Sequence, residues 1–347
     1  MTLVSMSIKR IKRSWGRFRN RRHLQNATVY DSTLAHTAGG TVWSKAFICG
    51  LADVYPPQTS SSFRELVISM DHYKKEIESS KKPVTSVYIV GSHVQEFVET
   101  IFPKLTNKIT IVTGNAVQAV PTSVLGSPEN ARRFLDDDRL VSAWVQNLDT
   151  EHPKAFPLPL GLDFHNLHMN KSGPWHEHED VLSPNQQEQQ IHAIAADSPP
   201  FEQRRPAVLS HFTVGTQPIE RSQWQDYFKE QSFAETPEGM IERPTLWNMM
   251  AGAQFVASPP GAGMDCHRTW EALVLGSVPI VRHFAPMAAM FEDLPVWQIE
   301  CLSEVTEESL QRKADEVSDR LSRSQYDFGK LTIGWWKERL IRHAAAS

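Results

Sequence analysis

The chain has 347 residues, of which 40% are hydrophobic and 22% are charged, a composition typical of globular proteins with about two domains. No apolar run approaches the roughly 18 residues that a membrane-spanning helix needs. The three cysteines Cys49, Cys266 and Cys301 lie far apart and form no CxxC pair. This spacing argues against a disulfide framework and a zinc site, and it indicates a reducing compartment.

The charge is distributed unevenly along the chain. Residues 1–25 contain eight Lys or Arg, so the net charge of −4 leaves about −12 on the remainder, which argues against a nucleic-acid-binding core. Ile8, Ile11, Trp15 and Phe18 form one apolar stripe at helical spacing. The segment therefore predicts a helix on an anionic membrane surface or an organelle transit peptide, and a disordered basic tail stays open as the alternative. No secretory signal is seen, so a cytoplasmic, organelle-targeted or membrane-surface location is predicted.

From residue 41 onward, short apolar runs alternate with helical patterns. The runs predict strands at 46–50, 84–90, 108–112 and 140–145. Helices are predicted at 94–101 and 127–135, and the second begins with a proline at its first position. Strands interleaved with helices favour a parallel sheet that is covered on both faces.

Parallel sheets bind ligands beyond the carboxyl ends of their strands. The polar residues that follow the predicted strands should therefore form one rim. They are Asp53, His93, Thr113, Asn115, Gln146 and Asn147.

The stretch 151–206 is rich in proline and predicts an interdomain crossing that contains a helix at 184–196. The alternation then resumes, with strands predicted at 207–211, 254–257, 278–281 and 296–298. Helices are predicted at 219–229, 244–251, 265–275, 303–321 and 324–343. These patterns divide the chain into a basic segment (1–25), a first domain with the crossing (26–200), a second domain (201–325) and a C-terminal helix (326–347).

The stretch 258–281 combines a glycine-rich loop, a helix that ends at Gly276 and a strand, directly after another strand. The helix N-terminus offers unpaired N–H groups and a positive dipole end to a phosphate. Arg268 and Glu271 are three residues apart and share one helix face. An arginine suits a diphosphate and a carboxylate suits a ribose diol, so the pattern indicates a nucleotide-sugar site. A buried helix with a surface ion pair is the alternative.

Other ligand motifs are absent or incomplete. Gly261 and Gly263 begin a dinucleotide fingerprint, but Cys266 occupies the third glycine position, which argues against NAD or FAD. No P-loop and no GxSxG motif occurs. The acidic and histidine-rich clusters at 136–138 and 176–180 are typical of solvated turns. His165 and His168 are either acid–base candidates or structural residues.

Longer segments carry a family resemblance. FVASPPGAGMDCHRTWEALVLGSVPIV resembles the donor-site motif of exostosin-like glycosyltransferases. KITIVTGNAVQAVP, VSAWVQN and HPKAFPLPLGLDFHNL resemble a glycosyltransferase-like family of giant viruses and protists. Together they cover roughly residues 45–300. Asn115 and Ala116 stand where that family pattern has an acidic residue.

The resemblance implies an α/β fold of the GT-B type, with two Rossmann-like domains facing a cleft. Arg268 would neutralise the donor diphosphate, Glu271 would hold ribose or sugar hydroxyls, and Arg221 would be a second phosphate ligand. Ser258, Gly261 and Gly263 would let the backbone approach the nucleotide, and Asp265 would cap the helix or touch the sugar. The full set of donor-binding residues that the resemblance implies is Ser258, Gly261, Gly263, Asp265, Arg268, Glu271, Thr213 and Arg221.

The activity that the resemblance implies is inverting transfer of a hexose or pentose from a UDP-sugar to a carbohydrate hydroxyl. The partners are then a nucleotide sugar and a glycan acceptor, with no nucleic acid, no tightly bound cofactor and no metal. Inversion needs a base on the acceptor side, for which Asp163 and His165 are the candidates. A catalytically inactive nucleotide- or carbohydrate-binding protein of the same fold is the main alternative, and an epimerase or phosphorylase is a further one.

Overall fold

The computed structural model describes residues 40–42, 52–55, 69–81, 84–115, 117–164, 182 and 184–345. The basic segment 1–25, the predicted strand at 46–50 and the cluster 176–180 lie outside the described residues, as do His165 and His168.

The first half folds around a four-stranded parallel sheet. Its strands are β1 (Ser86–Val90), β2 (Ile109–Gly114), β3 (Leu140–Val145) and β4 (Ala155–Pro157), and their order in the sheet is β1-β2-β3-β4. The apolar runs form strands that are covered on both faces, and every residue of β1 and β2 is buried. Three strands confirm the prediction, whereas β4 lies in the stretch that was predicted as a crossing.

Helices cover this sheet. They are α1 (Met70–Ser79), α2 (Val94–Thr100), α3 (Thr122–Leu125) and α4 (Pro128–Asp136). The predicted start of α4 is confirmed, because the Ser127 hydroxyl accepts a hydrogen bond from the backbone N–H of Asn130 at 3.2 Å. The helix α1 was not predicted.

The second half contains a five-stranded parallel sheet. Its strands are β5 (Arg205–Leu209), β6 (Ala234–Glu235), β7 (Ala253–Ala257), β8 (Val278–Arg282) and β9 (Trp297–Ile299), in the order β6-β5-β7-β8-β9. The chain leaves β5 for β6 on one side and returns to β7 on the other. The order therefore reverses between β5 and β7, and a crevice for a ligand is expected at the carboxyl ends of these two strands.

Seven helices accompany the second half in the described part of the chain. They are α5 (Pro184–Asp197), α6 (Pro218–Lys229), α7 (Arg243–Ala251), α8 (His267–Val274), α9 (Ala285–Ala288), α10 (Glu307–Ser322) and α11 (Ile333–Ala345). The predicted end of α8 is confirmed, because Gly276 follows it with a left-handed φ of 78°. No helix among the described residues has the length and apolar character to cross a membrane.

The last helix differs from the prediction in both its start and its packing. The predicted helix 324–343 is wrong over its first nine residues, because the Asp327 carboxylate accepts hydrogen bonds from the Gly329 N–H and the Trp335 indole and holds a turn there. Helix α11 then returns to the first sheet. The ring of His343 lies 5.6 Å from that of Trp144 and 4.5 Å from that of Phe156, centroid to centroid.

The two sheets face each other through their carboxyl ends. Asn147, which follows β3, contacts Gly263 in the loop that follows β7. The predicted fold class, two Rossmann-like α/β units facing a cleft, is therefore confirmed. The domain boundaries stay predictions, although the return of α11 joins the end of the chain to the first unit.

We expect α11 to depend on Trp336, which is 3% exposed and donates its indole N–H to the Lys330 carbonyl at 2.8 Å. Trp336→Ala should lower the free energy of unfolding by about 3–5 kcal/mol because it leaves a cavity. On the same helix, Ile341 is 54% exposed, and Ile341→Ala should change it by less than about 0.5 kcal/mol. Denaturant unfolding measures both values, and equal losses would contradict this packing.

Candidate functional site

Arg221, on α6, braces the two loops that border the crevice. Its guanidinium donates to the carbonyl of Thr213, in the loop after β5, at 2.7 Å. It also donates to the carbonyl of Pro260, in the loop after β7, at 2.7 Å. Gly261 allows this approach, since a Cβ there would lie 3.0 Å from Nη2 of Arg221. Arg221 and Thr213 were both predicted to bind the sugar donor. They are hydrogen-bonded to each other, and Arg221 shapes the crevice wall.

Arg268 lies in the first turn of α8 and points back to β5. Its Nη1 donates to the carbonyl of His211, and its Nε lies 3.5 Å from Oε2 of Glu271. Among the described residues this buried Nε has no hydrogen-bond partner. Burial lowers the pKa of Arg268, and the charge of Glu271 opposes that shift. A guanidinium whose Nε has an ion-pair partner at 3.5 Å but no hydrogen bond therefore stands at the reversal point of the sheet.

Glu271 is 7% exposed and lies between two guanidinium groups. Its Oε1 accepts hydrogen bonds from Nε and Nη2 of Arg243 at 3.1 and 2.8 Å. Burial acts to raise the pKa of this carboxyl, but Arg243 and Arg268 outweigh it and hold the pKa below its usual range. The predicted shared helix face of Arg268 and Glu271 is present, and the carboxylate is ionised.

Arg243, the first residue of α7, was missed by sequence reasoning. Its Nη1 donates to the backbone carbonyl of Asp163 at 3.0 Å and to Oε1 of Gln187 at 2.9 Å. Its guanidinium also lies 4.5 Å from the ring centroid of Trp247. An Arg-Pro pair at a helix start carries no ligand signal in the sequence. Only the tertiary contacts connect this residue to the site.

Ser258 and Gly263 serve the packing of the loop after β7. The hydroxyl of Ser258, which is 3% exposed, is hydrogen-bonded to that of Thr269 at 2.8 Å. A Cβ on Gly263 would lie 2.3 Å from Oδ1 of Asn147. This glycine, predicted to admit the nucleotide, therefore admits a side chain of the opposite rim.

Asp265 ties this loop to the chain that leaves the first sheet. Its Oδ2 accepts from the backbone N–H of Leu160 at 2.6 Å, and its Oδ1 accepts from that of Cys266 at 2.8 Å. The indole of Trp270 donates to both oxygens. Burial outweighs these bonds and raises the pKa of Asp265 to about 6. Both oxygens, predicted to cap the helix or touch the sugar, are occupied by protein donors.

Asp163, one of the two predicted bases, lies at the boundary between the halves and is 9% exposed. Its Oδ2 lies 3.8 Å from Nε2 of His267, the first residue of α8. Nδ1 of His267 is hydrogen-bonded to the carbonyl of Gly161 at 2.6 Å. His267 was missed as a functional residue although it lies inside the motif that was recognised. The other predicted base, His165, lies outside the described residues.

The rim residues Asn115, Gln146 and Asn147 lie where the strand ends predicted them. Gln146 joins two of the segments there, since its Oε1 accepts from the Asn115 N–H and its Nε2 donates to the Pro159 carbonyl, each at 2.9 Å. Thr113 is buried within β2 itself, and His93 lies in a short 3₁₀ turn after β1.

The prediction for Asp53 is wrong. Val54 forms a parallel bridge with Val87, which brings Asp53 to the amino end of β1. There its Oδ2 accepts from the backbone N–H groups of Thr85 and Ser86 at 2.8 and 3.0 Å. This carboxylate therefore caps the start of a strand and lies away from the crevice.

The acidic turn at 136–138 makes ion pairs. Asp136 pairs with His152 at 3.1 Å and Asp137 pairs with Arg139 at 2.7 Å. Across the part of the chain that the structure describes, no group of three or more His, Cys, Asp or Glu side chains is placed to hold a metal ion.

The geometry defines a two-unit α/β protein with a crevice at the reversal point of its second sheet. No known family model matches the chain, and no curated protein matches it. Solved structures do match. One is the α,α-trehalose-phosphate synthase (UDP-forming) from Burkholderia xenovorans in complex with glucose-6-phosphate, with 10% identity, 80% of this chain and 79% of that chain covered, and a TM-score of 0.38.

A second solved structure is the α,α-trehalose 6-phosphate synthase from Burkholderia multivorans, with 12% identity, 80% of this chain and 77% of that chain covered, and a TM-score of 0.36. Similarity at this level assigns neither a substrate nor a residue role to this chain.

Gly263→Ala should force the loop after β7 away from Asn147, because the new methyl group would overlap Oδ1. We expect a loss of about 1–3 kcal/mol in the free energy of unfolding, as for other overpacked sites. The double variant with Asn147→Gly should regain most of it, since Asn147 already has a left-handed φ of 54° that glycine adopts freely. A double-mutant cycle measures the coupling, and additive losses would contradict the contact.

Proposed function

We propose that this chain is a glycosyltransferase that binds a UDP-type nucleotide sugar in the crevice between β5 and β7. The observation that carries the proposal is Arg268, whose buried Nε has no hydrogen bond to the described residues at the reversal point of a parallel sheet. A buried guanidinium with an unused donor is costly unless an anion completes it. A diphosphate is such an anion.

The surroundings of Arg268 support a diphosphate rather than a single carboxylate ligand. Arg268 occupies the first turn of α8, where the helix dipole adds positive potential. Arg243 binds Glu271 through two nitrogens, so Glu271 keeps one hydrogen-bonded guanidinium partner even when Arg268 contacts a ligand. Arg268 can then turn its Nε to a phosphate oxygen without leaving an unpaired buried carboxylate.

Glu271 supports a nucleoside on the same side. Its Oε1 is held by Arg243, and its Oε2 is the oxygen that faces Arg268. A fixed, ionised carboxylate beside a diphosphate site can accept two hydrogen bonds from a ribose diol. The resemblance of residues 258–281 to exostosin-like donor motifs supports the same roles.

The acceptor is proposed to be a carbohydrate hydroxyl that approaches from the first unit, and transfer is proposed to invert the anomeric carbon. Asp163 and His165 are the proposed acceptor-side residues, and Asp163 lies at the boundary that this route requires. The helix terminus and Arg268 would balance the diphosphate charge, so no metal is required by the proposal.

A nucleotide-binding protein without turnover is the second candidate. Asn115 in place of an acidic residue favours it. Tight UDP binding without transfer or hydrolysis across a donor panel would establish that function instead.

Arg268→Ala should weaken UDP binding by about 10- to 100-fold, equivalent to about 1.5–3 kcal/mol for a charge-assisted hydrogen bond. Arg139→Ala is the matched control, because Arg139 also pairs with a carboxylate, Asp137, but at the amino edge of the first sheet. Calorimetry gives both affinities, and UDP release from a panel of UDP-sugars gives turnover. Unchanged affinity and turnover in Arg268→Ala would show the assignment to be wrong.

A further inference from the structure

His267 is a reactive side chain inside the donor motif to which the proposed function assigns no role. It begins α8 and directly precedes Arg268, so it lies in the same helix turn as the proposed diphosphate ligand. It is also the point where that motif contacts the chain leaving the first sheet, through Gly161 and Asp163. A group that touches both halves at the mouth of the crevice is placed to contact both substrates.

The hydrogen bond to Gly161 determines which nitrogen of the neutral ring carries the proton. A carbonyl oxygen only accepts, so Nδ1 of His267 carries the proton in the 2.6 Å contact. The lone pair of the neutral imidazole is then on Nε2. Nε2 is therefore the atom that can accept a proton from a substrate.

The carboxylate of Asp163 faces this lone pair. Its Oδ2 lies 3.8 Å from Nε2, which exceeds hydrogen-bond length but is close enough for a Coulomb attraction once the ring carries a proton. The side chain of Asp163 is 12% exposed and that of His267 is 34% exposed. The histidine is therefore the member of the pair that an incoming hydroxyl can reach.

We propose that His267 is the proton acceptor of the transfer reaction and that Asp163 stabilises the imidazolium that forms. The proposal rests on the proposed function, but it moves the base from the acceptor side to the donor motif. His267 in the donor motif accepts the proton, and the carboxylate of Asp163 on the acceptor side stabilises the imidazolium.

The step balances without a further reactant. The oxygen of the acceptor hydroxyl forms a bond to the anomeric carbon, while the bond from that carbon to the diphosphate oxygen breaks and its electron pair leaves on UDP. The hydroxyl proton passes to Nε2 of His267, and solvent takes it after product release. The neutral imidazole is the form of the ring that this step needs.

Charged groups on several elements surround the ring. Asp163 on the crossing segment lies 3.8 Å from Nε2, and Asp265 lies in the loop before α8. Arg268 follows His267 on α8, and Arg243 on α7 binds the carbonyl of Asp163. Removal of the Asp163 charge should lower kcat, because the imidazolium that forms in the reaction loses its counter-charge.

The test uses His267→Asn, because an asparagine amide can still donate to the Gly161 carbonyl but has no basic nitrogen in place of Nε2. With a donor and acceptor that the wild type turns over, kcat should fall by about 10²- to 10⁴-fold. The acid limb of the pH–rate profile should disappear, while the affinity for UDP measured by calorimetry should stay within a few-fold.

Two variants complete the test. His152→Asn is the matched control, since His152 also faces a carboxylate, Asp136, but at the amino edge of the first sheet. It should keep both kcat and the acid limb. Asp163→Asn should retain the limb but lower kcat, because the imidazolium loses its counter-charge.

The outcomes separate the two claims. Wild-type kcat and an intact acid limb in His267→Asn would overturn the inference, and loss of the limb only in Asp163→Asn would make Asp163 the base. If the wild type binds no UDP and releases none from any donor, the proposed function fails and this inference fails with it.

Discussion

The candidate site depends on one buried carboxylate between two guanidinium groups. Glu271 is held by two hydrogen bonds from Arg243, and it faces Arg268 across 3.5 Å. Removing one partner of a buried charge pair typically costs about 3–5 kcal/mol, because the other charge is left uncompensated. The same Arg243 donates to the Asp163 carbonyl, so the group that balances the charge of Glu271 also positions the segment that leaves the first sheet.

A second set of contacts closes the boundary at the glycine-rich loop. Asp265 accepts from the Leu160 N–H, and Gly263 makes room for Asn147. The loop therefore acts as an interface between the two units as well as a wall of the crevice. This explains why residues of a motif that predicts phosphate binding contact other parts of the protein. Asp265 does so through its side chain, and Gly263 does so because its lack of a side chain leaves room for Asn147.

The sequence predicted the elements with strong periodicity, because an apolar run or a helical stripe reports burial on its own. The strands β1, β2, β3, β7 and β8 and the end of α8 at Gly276 are of this kind. It missed α1, and it missed β4 because that short proline-stiffened strand is defined by its pairing with β3. It placed the start of the last helix wrongly because the Asp327 side chain holds a local turn with Gly329, which an apolar stripe does not report.

The site was predictable only in part for the same reason. Arg268 and Glu271 lie three apart, so local spacing was sufficient to place them on one face. Arg243 joins them from 28 residues upstream, and His267 gains meaning only from Gly161, 106 residues away. Contacts between residues so far apart in the sequence leave no periodic pattern of residue types. Arg221 connects two loops by donating to their backbone carbonyl groups, and a pattern of side chains does not predict such contacts.

A structure of the chain crystallised with UDP tests the central claim most directly. The account predicts a diphosphate oxygen within about 3 Å of Nε of Arg268 and the ribose hydroxyls at Glu271. UDP bound away from the ends of β5 and β7, with Nε of Arg268 still without a partner, would contradict it.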